Sequence, residues 1–244
     1  MHKIIIPVLG FVLLFCSCKS ISVQNKQYQT TNEQVVLGSV GQDEHFVLEK
    51  TYNHIGIPNY SKPLKLYVTQ IPFDKTTFRA FKNANVLQAA KLNINYIDSL
   101  ETKPTFLNIQ TVDEIGLMNM LNDKVNKDVK NYMMNQDQSH IISNVSVVFD
   151  ESVMQQIAKA EEVFLEPSGI KSYTLNLYKN KELVKAISFT DGVVFGYRTS
   201  GACWKENEKY QLQIVDLVEG DNKCPNKTYR SAKRAKKKIN YFKF

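Results

Sequence analysis

Beyond the first few residues the chain carries three histidines, His45, His54 and His140. Imidazole is the side chain best suited to moving a proton near neutral pH. Their spacing does not match a zinc-protease helix, which needs two histidines one turn apart with a glutamate between them. A Ser-His-acid triad is assembled by the fold and has no fixed spacing, but no Gly-x-Ser-x-Gly elbow is present to expose a nucleophile. Ser168-Gly-Ile-Lys171 fits the Ser-x-x-Lys form, yet it follows Pro167 and has no Lys-Thr-Gly companion. It reads as a turn. Gly38-Ser-Val-Gly41 lacks the lysine of a phosphate-cradling loop. Asp216, Glu219 and Asp221 beside Cys224 do not have calcium-loop spacing and read as a solvated turn. No cofactor and no metal is implied. Phe195, Tyr197, Trp204 and Tyr210 are either a carbohydrate- or peptide-binding face or core and rim.

The cysteines say more. Residues 4–15 are an apolar run of twelve, interrupted by Pro7 and Gly10 and preceded by His2 and Lys3. Crossing a bilayer takes about 20 apolar residues, whereas a run of this length suits a secretory signal. The run ends in Leu14-Phe15-Cys16-Ser17-Cys18. Small Ser17 followed by Cys18 resembles the lipobox of bacterial lipoproteins, with Phe15 where leucine is preferred. The resemblance covers residues 1–18 only. It implies cleavage before Cys18 and a diacylglycerol on that sulfur; an ordinary secretory signal is the alternative. Lys19-Ser20 lacks the aspartate that retains lipoproteins in the inner membrane and the acidic run linked to surface export. By that analogy the address is the cell envelope, on the periplasmic face of the outer membrane. Cys203 and Cys224 then remain in the mature chain, an even number in an oxidising compartment. They are predicted to pair, contributing about 3 kcal/mol; two unpaired buried thiols are the alternative.

Charge is concentrated at one end. The formal net charge is +7. Lys3 leaves with the signal, and residues 227–244 carry eight cations and no acid, so residues 18–226 net −2. Arg230, Lys233, Arg234, Lys236, Lys237 and Lys238 are candidate contacts to an anionic surface. The tail could lie on anionic headgroups, at about 1 kcal/mol per cation, with Tyr229, Tyr241, Phe242 and Phe244 as interfacial aromatics. An acidic envelope protein or phosphate-rich glycan would also fit, as would a frayed, solvated end. Nucleic acid is not expected in that compartment.

The elements follow from periodicity. Residues 19–34 are polar and aperiodic and read as a flexible tether, about 20–25 Å long. Strands are expected over 64–71, 92–97, 104–110, 141–149, 173–178, 183–189, 193–199 and 210–215. Short helices are expected over 76–87 and from Glu151, capped by Asp150. Thr111-Val-Asp-Glu114 reads as a capping box opening one long amphipathic helix with Ile115, Met118, Leu121 or Asn122, Val125, Val129 and Met133 at helical spacing on its apolar face. Asn180 marks a turn, and Asp191-Gly192 reads as a hairpin dipeptide. Asp98-Ser99-Leu100, in a predicted surface turn, resembles a short O-glycosylation acceptor of exported bacterial proteins.

These elements make an α+β domain, mainly antiparallel sheet with one long amphipathic helix and one or two short ones. The layout is signal 1–17, lipidated cysteine and tether 18–34, domain 35–226 and basic tail 227–244. Phe73-Asp74 and Phe149-Asp150 each precede a helix and further strands. The order strand–helix–strand–strand thus occurs twice, a possible internal duplication whose cleft would be a place for a ligand. The expected role is a membrane-anchored envelope lipoprotein with a non-catalytic binding or structural function. The alternative is an envelope hydrolase whose site leaves no motif.

Overall fold

The computed structural model describes residues 20–46, 49–169, 172–220 and 222–237. In chain order the strands and helices are β1 (Ser20–Val23), β2 (Lys26–Thr30), β3 (Val40–Phe46), β4 (Glu49–Gly56), β5 (Leu64–Pro72), α1 (Lys75–Leu87) and β6 (Thr105–Thr111). There follow α2 (Glu114–Asn122), α3 (Lys127–Asn135), β7 (Ser139–Val148), α4 (Glu151–Lys159), β8 (Glu162–Gly169) and β9 (Ser172–Lys179). The last are β10 (Glu182–Ser188), β11 (Val193–Glu206), β12 (Leu212–Glu219) and α5 (Ala232–Lys237).

A mainly antiparallel sheet is built on one long ribbon, β7 against β11. Each ribbon strand is long enough to take two neighbours in tandem on its outer edge. β11 pairs first with β2 and further along with β12. β7 pairs with β3 near its start and with β6 beyond. From β6 the sheet continues through β5, β8 and β9 to β10. β7 is apolar or small on both faces (Ile141, Ile142, Val145, Ser146, Val147, Val148) and nearly all of it is buried. A strand covered on both sides reads this way.

The core gathers where α1 crosses the sheet. Asp74 caps α1 and forms a reciprocal capping box with Thr77. The helix buries Thr77, Ala80, Phe81 and Ala84. Phe73, Phe81, Phe106 and Phe195 meet with ring centroids 5.0–6.3 Å apart, a spacing at which tilted and edge-on aromatics attract.

Several expectations need correction. The segment read as a tether is folded from Ser20 onward: β1 and β2 form a hairpin that joins β11 and buries Ile21, Val23 and Tyr28. Gln24 and Asn25 turn it with positive φ, as a two-residue primed turn requires. The long helix is also absent. Asp123 adopts an extended conformation and caps a 3₁₀ turn over Lys124–Asn126, which splits the stretch into α2 and α3. Asn126 fixes the break by donating to the carbonyls of Asn59 and Met120. Asp113, rather than a Thr111–Glu114 box, caps α2. The buried residues of α2 are Leu117, Met120 and Leu121, while Ile115 is exposed, so the apolar stripe is rotated.

Residues 92–97 form no strand, although they are alternately half-buried and exposed as their pattern predicts. Their neighbour is α1: the Asn85 amide bonds both the N–H and the C=O of Leu92. The first of the two compared stretches therefore lacks its middle strand, and the duplication fails as a structural repeat. Asp191-Gly192 makes no hairpin, because β10 pairs with β9 and a 3₁₀ turn (Phe189–Asp191) carries the chain across to β11. Asp98-Ser99-Leu100 does lie in an exposed turn. Among the described residues no helix is long and apolar enough to cross a membrane.

Candidate functional site

The residues singled out near the C-terminus form a clasp on the far half of β11. Cys203 is fully buried in that strand and is disulfide-bonded to Cys224, with the two Cα atoms 5.7 Å apart. Cys203 lies inside β11, opposite Asp216 of β12, so the bond ties the strand itself to the segment after β12. One residue on, Trp204 and Tyr229 exchange backbone hydrogen bonds of 2.7 and 3.0 Å. The Arg230 guanidinium donates to the carbonyls of Gly220, Asn222 and Val218, gathering the turn after β12. The guanidinium lies over Gly201, where an added Cβ would push it aside. Ala232 and Ala235 of α5 are buried.

The tail is therefore folded as far as Lys237, not free. Arg230 is committed to protein carbonyls and drops out of the anion-binding set. Lys233, Arg234 and Lys236 are exposed on α5, with Arg234 standing over the Tyr229 ring at 6.0 Å. Lys237 closes that helix. Cys18 and Lys238 lie outside the described residues, as do Tyr241, Phe242 and Phe244.

A cavity of about 210 Å³ opens where residues 92–95 pass the start of α4, walled also by Pro104, Thr105, Phe149 and Met154. It falls between the two stretches compared as a duplication. Its carboxylates are Asp150 and Glu151. Asp150 accepts from the Ser152 amide and hydroxyl, and Glu151 accepts from Gln155. No histidine lines it. Its chemistry is that of a small half-apolar recess at a helix start.

A polar network through the sheet left no mark in the sequence reading. Register aligns Asn108, Ser146 and Gly196 in one row and Gln110, Asn144 and Arg198 in another two residues along. The Tyr28 hydroxyl donates to Asn108 (2.9 Å), Asn144 donates to Gln110 (3.0 Å), and Arg198 stands 5.5 Å over the Tyr28 ring while pairing with Glu219. Burial raises the Tyr28 phenol above its ordinary value; the Asn108 bond and the Arg198 charge pull the other way. On the opposite face Tyr197 donates to Gln29 (2.9 Å) and lies edge-on to Tyr52, whose hydroxyl donates to the Ser39 carbonyl. Burial, with Asp43 nearby, drives the Tyr197 phenol far up. The signal that could have found this network is the alternation Ile21, Val23, Tyr28 about Gln24-Asn25.

Phe195, Tyr197 and Trp204 are fully buried, so of the four aromatics only Tyr210 is exposed. His54 and His140 face Gly41 from either side, in β4 and β7, and His45 lies in β3. Among the described residues no group of three His, Cys, Asp or Glu side chains is arranged to hold a metal ion. No protein-family model matches the chain, and no curated protein matches it.

Proposed function

We propose that the chain is an exported bacterial lipoprotein, held to a membrane through diacylglycerol on Cys18, whose domain binds rather than catalyses. The observation that carries this reading is the division of labour among four cysteines. Cys16 and Cys18 end an apolar run of signal-peptide length, and Cys203, which is buried, is joined to Cys224 in a disulfide. Structural disulfides persist in oxidising compartments and are rare in the cytosol. With Lys19-Ser20 after the lipid-bearing cysteine, the address is the periplasmic face of the outer membrane.

Lys233, Arg234 and Lys236 supply an exposed cationic surface for an acidic envelope protein or a phosphate-rich glycan. A hydrolase would need a nucleophile and a base within hydrogen-bond reach. In the cavity the two carboxylates are engaged at the start of α4, which supports a binding role. The test is Cys18→Ser. The wild-type chain should fractionate with the outer membrane and accumulate as precursor under globomycin, and the variant should leave the membrane fraction. A variant that stays with membranes, together with indifference to globomycin, would overturn the reading.

A further inference from the structure

We propose that the outer face of α1 is a membrane-docking surface, seated on anionic lipid headgroups beside the anchor. The inference rests on lipidation at Cys18, and the first observation is chain length. Ser20 already belongs to β1, so Cys18 lies two residues from the folded domain, within about 7 Å of it. Such a link cannot hold the domain clear of the bilayer; whichever face surrounds the start of β1 must meet the headgroups.

Register identifies that face. Ser20 pairs with Gln29, and Gln29 with Tyr197. Taken from Val23 back to Ser20, β1 runs in the sense that leads along β11 toward Tyr197 and Val194. At that level Gln88, the C-cap of α1, bonds both the N–H and the C=O of Val194. α1 also packs against β1 itself. The C-terminal end of α1 is therefore the element beside the anchor.

The character of α1 fits a bilayer surface. Lys75, Arg79, Lys82 and Val86 follow the i, i+4, i+7, i+11 spacing of one helix face, opposite the buried Ala80, Phe81 and Ala84, and all four are exposed. Val86 and Leu87 are 72% and 67% exposed at the anchor end, large for aliphatic side chains. Residues 75–97 hold four cations and no acid, while residues 18–226 net −2, so the rest of that span carries −6; Lys91 is turned onto the carbonyls of Asn85, Val86 and Gln88, which leaves Lys75, Arg79 and Lys82 to face a headgroup. The flanking acids are engaged: Asp74 caps α1, and Asp98 is bonded by Tyr96 and Lys103. Basic groups against anionic headgroups, with aliphatic side chains reaching the acyl boundary, is the chemistry of an interfacial helix. The cations of α5 lie elsewhere. Trp204, which the tail bridges, is eight residues down β11 from Gly196, about 26 Å along the strand.

The test uses the chain from residue 18 carrying Cys18→Ser, which keeps every described element, in flotation with phosphatidylcholine vesicles with or without phosphatidylglycerol. Salt-sensitive binding to the anionic vesicles is expected. Lys75→Gln/Arg79→Gln/Lys82→Gln should weaken it about 100-fold, three cations at about 1 kcal/mol each. Val86→Asp/Leu87→Asp should also weaken it, and Lys233→Gln/Arg234→Gln/Lys236→Gln should not. The substituted side chains are exposed, and unchanged thermal melts will verify folding. Absence of vesicle binding, or binding that survives the α1 changes and falls with the α5 changes, overturns the proposal. So does sedimentation showing a dimer that Val86→Asp dissociates, which would make this face an interface between copies. The mass of the N-terminal peptide of the membrane-extracted protein separates the two ideas. A peptide without acyl chains removes the anchor while the vesicles still judge α1; an acylated peptide with binding indifferent to α1 removes the docking face and leaves the anchor.

Discussion

The two halves of β11 are held in place by different physics. The half beginning at Val193 is pinned by bulk: Phe195 meets Phe73, Phe81 and Phe106, with α1 laid across it and the β1–β2 hairpin alongside. The half containing Gly201, Ala202 and Cys203 buries small side chains beside one large one, Trp204, and there the chain is also tied by a disulfide, a two-bond bridge and one guanidinium. Burial is cooperative and local in space. Cross-links act on whatever they join and lower the entropy of the unfolded chain. A strand of fourteen residues can thus have one end that fails when packing fails and another that fails when bonds are cut.

The sharpest way to break that contrast is Phe195→Ala. The ring is fully buried at the centre of the aromatic cluster, and its loss should cost about 3–5 kcal/mol in urea unfolding. A loss below about 2 kcal/mol would fall under the range for such truncations and mean that the α1 half is not held by this cluster. Next is Cys203→Ala/Cys224→Ala, or reduction. With the cysteines 21 positions apart in the sequence, about 3 kcal/mol should be lost. Amide exchange should rise in residues 222–237 and change little around Phe195. Equal loss of protection at both ends of β11 would show that the two halves are one cooperative unit. A third step is Arg230→Gln. Removing a cation that serves the Gly220, Asn222 and Val218 carbonyls should cost about 1–3 kcal/mol. The cost should nearly vanish in the disulfide-free background if both devices clasp the same turn.

The sequence disclosed these halves unequally. Strands with strong alternation or dense β-branching (64–71, 141–149, 173–178) were readable because burial pattern and pairing agree there. Residues 92–97 show the limit of periodicity: alternate burial was readable, but the partner turned out to be the Asn85 side chain rather than a strand. The β1–β2 hairpin was hidden because Lys, Gln and Ser dilute its apolar residues, and the one row of Ile21, Val23 and Tyr28 that packs inward is short. The break between α2 and α3 was hidden because it depends on Asn59, 67 residues from its partner Asn126. At the candidate sites, the cysteine pairing followed from an even count and an expected oxidising compartment. Arg230 counted among the free cations because composition does not tell a guanidinium aimed at carbonyls from one aimed at solvent.

Tyr197 lies between the two halves and tests whether they communicate. Its hydroxyl donates to Gln29 of the hairpin, and its ring leans on Tyr52 of β4. Burial holds the native phenol protonated far above the ordinary value of 10. An unfolded chain releases that proton at about pH 10 and the native chain does not. This contribution is therefore fully present below pH 10 and lost as pH rises beyond it, at about 1.4 kcal/mol per pH unit for one proton. Tyr197→Phe should cost about 0.5–1.5 kcal/mol at neutral pH, the worth of one hydrogen bond. It should also flatten the alkaline slope by one proton, leaving the share of Tyr28, Tyr52, Tyr60 and Tyr173, which burial raises as well. Parallel alkaline slopes for wild type and variant would mean that water reaches this phenol in solution. The middle of β11 would then be a seam along which its packed half and its cross-linked half open separately.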